Sequence, residues 1–162
     1  MMEHKEQGKL ILYLDETNFT PRKHSAYSYA LKYMNQETGT HNLQVTTMSA
    51  IVCINQEYGI VDHMIVPGAV NAVIFLDYIN QLFHTLEGRE DVVIFMDNLR
   101  VHHTKLVKER LDLFGWTVVF NAAYSSEIHC IERVFARVKY NYKKVIRKEF
   151  KKVSDQYHKN MI

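Results

Sequence analysis

Apolar residues recur along this chain with two different periods. Runs rich in β-branched and aromatic residues occur at Leu10–Leu14, Ala50–Ile54, Ile60–Val66, Val92–Met96 and Trp116–Phe120. Each is too short for an ordinary helix, so the pattern predicts five strands. The first is expected over Lys9–Asp15. The second falls within Leu43–Ile54, and the turn Asn55–Gly59 joins it to the third, Ile60–Val66, as a hairpin. The fourth, Val92–Met96, is apolar at every position, as in a strand buried on both faces.

Between these runs the period changes to that of a helix. Val73, Leu76, Ile79, Leu82, Phe83 and Leu86 predict a one-sided helix capped by Asn71 and running to about Glu87, with Gly88 at its end. A shorter helix is expected after Thr104, with Leu106, Val107, Leu111 and Leu113 or Phe114 as its apolar side and Gly115 closing it. A loop from Asn121 to about His129 leads into the last helix, where Ile131, Val134, Val138, Tyr142 and Val145 share one side. Thr17–Asn42, with Pro21, Gly39 and several tyrosines, reads as an irregular excursion. The order is β-β-β-α-β-α-β-α, a meander followed by βα units. It is the element order of an RNase H-like (retroviral integrase-like) α/β fold, a mixed five-stranded sheet flanked by helices.

Composition narrows the picture. A chain of 162 residues with 47% hydrophobic content suits one domain spanning 1–162. No run reaches the length of a membrane span and the start lacks a secretory apolar segment, so an intracellular protein is expected. Cys53 and Cys130 lack metal-site spacing and fit reduced thiols. The net charge of +2 conceals an asymmetry. From Arg133 to Lys152 nine Lys or Arg face one acid, a local +8, which leaves 11 bases against 17 acids elsewhere, or −6. A basic helix on an acidic body is the footprint of a polyanion-binding surface.

Candidate chemistry lies where apolar runs meet acids. The first predicted strand runs into Asp15 and Glu16, and the fourth into Asp97 and Asn98. Sheets of this class place their ligands at the carboxyl ends of their strands. Two carboxylates brought together there repel unless a cation lies between them. Glu132, at the start of the last helix, sits at the edge of that helix's buried face and completes a carboxylate trio. Such a trio suits Mg²⁺ or Mn²⁺, hard ions that take oxygen ligands. Two ions about 4 Å apart can activate the attacking oxygen and stabilise the leaving one in phosphoryl transfer. His102 and His103 are poorer ligands for a hard ion, and positioning or DNA contact suits them better.

At these residues the sequence resembles the catalytic domain of DDE transposases of the Tc1/mariner and IS630 superfamily. LYLDETNF carries Asp15 at the family's first catalytic aspartate. VIFMDNLRVHH matches its Asp-Asn pair at Asp97 and Asn98 and its histidine at His102. NAAYSSEIHCIERVFARVK matches its third motif at Tyr124, Ser125, Ile131 and Glu132, and 34 residues separate Asp97 from Glu132. The resemblance implies a DDE superfamily endonuclease and strand transferase in DNA transposition and recombination. Asp15, Asp97 and Glu132 would be its catalytic, metal-holding residues, with Glu16, Asn98 and His102 behind them. Arg137, Lys139, Lys143, Lys144 and Arg147 would contact DNA phosphates. The implied partners are transposon ends and target DNA, with a homodimer compatible and no membrane. The implied location is the nucleus in a eukaryote, or the cytoplasm or nucleoid in a bacterium.

The sequence also departs from the family. Ala122, Ala123, Ser126 and Cys130 stand where relatives usually carry proline, and His129 where they carry asparagine, so the approach to Glu132 is less constrained. The amino-terminal helix-turn-helix region of full-length relatives is not expected here, since eight residues precede the first strand. The alternative is therefore a degenerate or domesticated domain that binds DNA or a protein without cutting. A receiver domain is excluded, because its second acid would follow much sooner than Asp97 follows Asp15 and Asn121 stands in place of its lysine.

Overall fold

A computed structural model describes residues 8–20, 47–120 and 129–159, without the side chains of 129 and 150–159. Five strands form one sheet: β1 (Leu10–Phe19), β2 (Met48–Asn55), β3 (Gly59–Pro67), β4 (Val92–Met96) and β5 (Thr117–Phe120). Three helices accompany them: α1 (Ala72–Thr85), α2 (Lys105–Leu113) and α3 (His129–Lys159). The expected element order holds. The strand order is β3-β2-β1-β4-β5, antiparallel from β3 to β1 and parallel from β1 to β5. This is the mixed sheet of an RNase H-like fold. Residues 43–46, placed by sequence in the second strand, and the 121–128 loop with Tyr124 and Ser125 lie outside the described residues.

Alternation along the central strands makes two cores. Leu12 and Leu14 of β1, Ile94 and Met96 of β4, and Ile51 and Cys53 of β2 face α1 and α2. Ile11, Tyr13, Val93, Phe95 and Val52 face α3, where Ile131 and Phe135 cover them. All five β4 residues are buried, as their continuous apolar run predicts.

The helices depart from the sequence reading in which residues they bury. Asn71 caps α1 as expected, its Oδ1 accepting from Val73 N and Ile74 N at 3.0 Å. The α1 stripe, however, is Phe75, Tyr78, Ile79 and Leu82, while Val73 is 60% exposed. Two aromatics move the buried face round the helix. Arg100–His103 forms a 3-10 turn that no periodicity announced, and the Thr104 hydroxyl donates back to Val101 O rather than capping α2. In α2, Val107 and Leu111 are buried, whereas Leu106 and Leu113 face outward. In α3 the expected Val138 and Val145 are exposed and Phe135 takes their place in the core. The 31 residues of α3 span about 45 Å, whereas the 10 of β1 span about 33 Å, so its later turns have no sheet to cover. Among the described residues no helix is long and apolar enough to cross a membrane.

Candidate active site

The site begins with unequal strands. The first strand was expected to end at Asp15, but β1 continues to Phe19 because β2 pairs with it through Phe19 and Met48. Its parallel pairing with β4 stops earlier, at Tyr13 and Phe95. Two residues beyond that last pair, on each chain, lie Asp15 and Asp97. Asp15 pairs with Val52 and continues the face of Tyr13, which is the α3 side, whereas Asp97 follows the last residue of β4. Glu132 lies in the first turn of α3, next to the buried Ile131, and is exposed. Asp15 and the helix carrying the glutamate therefore share one face of the sheet, with Asp97 just past the end of β4.

Glu16 points the other way, toward α1, where it meets His102. The imidazole is fully buried and lies against the Phe75 ring at 4.5 Å between centroids. Its Nε2 lies 2.9 Å from Glu16 Oε1, and its Nδ1 lies 3.0 Å from Asp97 O and 3.2 Å from Asp97 Oδ1. A carbonyl oxygen can only accept, so Nδ1 carries a proton; Nε2 faces a carboxylate and carries one too. Burial opposes that charge, but the hydrogen bonds to Asp97 and Glu16 outweigh it and push the imidazole up to about 10. His102 is fully buried, away from any surface that DNA could reach. His103 packs on the Phe120 ring and meets Asn98 Oδ1 through Nε2.

Asp15 is pushed up to about 6, mainly by burial and further by the Glu16 and Asp97 carboxylates, against a 2.7 Å hydrogen bond from Glu16 N. Asp97 Oδ1 accepts from Leu99 N at 3.2 Å as well as facing His102, whereas no hydrogen bond reaches Oδ2 among the described residues. Glu16 Oε2 is buried with no hydrogen-bond partner among the described residues. Ligand atoms of Glu16, Asp97 and His102 lie within 4.8 Å of one another, the one such acid or histidine group among the described residues, and it leaves out Asp15 and Glu132. Sequence reasoning found every member of this cluster. What it missed is that Glu16 and His102 meet, because residues 86 positions apart on different elements give no periodic signal.

The profile of the DDE superfamily endonucleases matches residues 10–155. The chain belongs to that family. This DDE domain is also similar to solved structures of the mariner transposase Mos1. A structure of the Mos1 catalytic domain with Raltegravir and Mg aligns at 18% identity and a TM-score of 0.61, covering 96% of this chain and 75% of that one. The Mos1 mariner paired-end complex with Mn gives the same identity and score and covers 51% of its chain. A pre-cleavage Mos1 transpososome aligns at 21% identity with a TM-score of 0.56, over 78% of this chain and 41% of that one. The DDE domain thus spans about half or less of the longer Mos1 chains and shares their fold. Curated proteins gave no match.

Proposed function

We propose that this DDE domain cuts and joins DNA strands as the catalytic part of a transposase, by phosphoryl transfer that depends on Mg²⁺ or Mn²⁺. The observation that carries the reading is the equal rank of Asp15 and Asp97 past the last β1–β4 pair, close enough for the Asp97 carboxylate to act on Asp15. Crowded, half-buried carboxylates with open oxygens fit a divalent cation, whose charge would relieve the burial and repulsion that keep Asp15 protonated up to about pH 6. Asp15 and Asp97 would hold two ions between them and Glu132 would complete one from α3. What bound ions supply is activation of the attacking oxygen and charge relief at the leaving one. Lys139, Lys143, Arg137, Lys144 and Arg147 line α3 and would grip phosphates without reading sequence. In the family's scheme, water first frees a 3′ hydroxyl at the element's end and that hydroxyl then attacks target DNA.

The exposure of Glu132, outside the close group of acids, favours a second reading: a domain that binds DNA or a protein but no longer cuts. One experiment separates them. Wild-type protein is incubated with element-end duplexes and Mn²⁺ beside Asp97→Asn, whose melting temperature reports an intact fold. Metal-dependent nicking by wild type and none by the variant supports catalysis. Equal cutting by both removes Asp97 from the site. DNA binding with no cutting by either leaves the second reading.

A further inference from the structure

The acidic cluster admits two arrangements for a cation. One uses the close group of Glu16, Asp97 and His102; the other uses Asp15 and Asp97. The hydrogen bonds decide between them. Both His102 nitrogens are already committed, Nε2 to Glu16 Oε1 at 2.9 Å and Nδ1 to Asp97 O at 3.0 Å and Oδ1 at 3.2 Å, so neither offers a lone pair to a metal. The imidazole itself fills the space between the two carboxylates. It cannot swing out, because it is fully enclosed and packed against Phe75. Asp97 Oδ1 is held by His102 and by Leu99 N, which leaves Oδ2 as the oxygen with no hydrogen bond among the described residues.

We propose that Glu16 and His102 form a positioning latch: Glu16 holds the imidazole, the imidazole holds Asp97 Oδ1, and Asp97 is left to present Oδ2 toward Asp15, with Glu16 outside the ligand set. This rests on the reading of Asp15 and Asp97 as the cation-holding pair. The latch joins β1 to the polar crossover after β4, the two segments whose acids must stay in register once their backbone pairing has ended. It acts as partners of ligating carboxylates generally do, fixing orientation at a distance from the ion.

The test uses Mn²⁺ affinity, read by electron paramagnetic resonance, for wild type, Glu16→Gln and Glu16→Ala. Glutamine keeps an oxygen that accepts from Nε2, so the latch predicts affinity within about threefold of wild type, whereas alanine frees the ring and loses about tenfold or more. Glu16→Gln falling as far as Glu16→Ala would overturn the proposal and make Glu16 a ligand. A second measurement needs no metal. Proton NMR of the metal-free chain should show two downfield ring N–H signals from His102, protected from solvent exchange, and Glu16→Ala should lose the Nε2 signal while keeping that of Nδ1. Absence of both in wild type, or retention of both in Glu16→Ala, refutes the latch. If wild type binds no Mn²⁺, it is the proposed function that fails, and the NMR result still decides the latch.

Discussion

Asp15 and His102 couple the residue scale to pH with the same sign. The Asp15 carboxyl stands at about 6 in the fold against an ordinary 3.8, so the folded state favours its protonated form, and stability falls as pH rises from about 4 through 6. His102 stands at about 10 against 6.5, so the stability its charge confers is complete below 6.5 and is lost as pH rises toward 10. The metal-free protein should therefore melt at lower temperature with each step from pH 5 to 10, in a scan at constant ionic strength. A divalent cation competes with the proton on Asp15, so Mg²⁺ should raise the melting temperature little at pH 5 and clearly at pH 7.5. A Mg²⁺ effect independent of pH over that interval would remove Asp15 from the binding site. Asp15 and Asp97 were legible in the sequence as candidates because each follows an apolar run. The latch was not, because a hydrogen bond between a strand residue and a 3-10 turn leaves no trace in composition or period.

At the scale of elements, α3 divides into a packed beginning and an overhanging remainder. Phe135 lies in the core with Ile131, so Phe135→Ala should cost about 3 kcal/mol in chemical denaturation, the range of a large buried side chain lost. Val138→Ala, at a position 40% exposed, should cost well under that. The sequence reading puts Val138 in the apolar stripe and leaves Phe135 out of it, since a helical wheel locates a stripe but carries no information about where the opposing sheet ends. Beyond Phe135, Lys143 is exposed and Lys139 half-buried, near Tyr142, which packs on Phe19. Replacing both by alanine should weaken duplex binding without regard to base sequence and flatten the log–log salt dependence by about two phosphate contacts, measured by fluorescence anisotropy across salt. An unchanged slope would place DNA on another surface. Strands were read more reliably than helix faces, because five consecutive buried positions in β4 leave one assignment open, whereas Phe75 and Tyr78 show how aromatics rotate a helix's buried face away from its aliphatic one.

Over the whole molecule, the two halves of the sheet serve different ends. The antiparallel meander of β3, β2 and β1 lengthens the central strand, while the parallel units of β4 and β5 supply a strand that stops short beside it. That mismatch in length places Asp15 in the interior of a strand and Asp97 at the end of one, yet at equal rank. A substrate with no accessible end, such as an internal stretch of a long polymer, cannot be threaded into a closed pit. It has to be laid down from the side. Under the proposed function, the stair-step between a long strand and a short one is where such a polymer would be laid, met along its length rather than by its end.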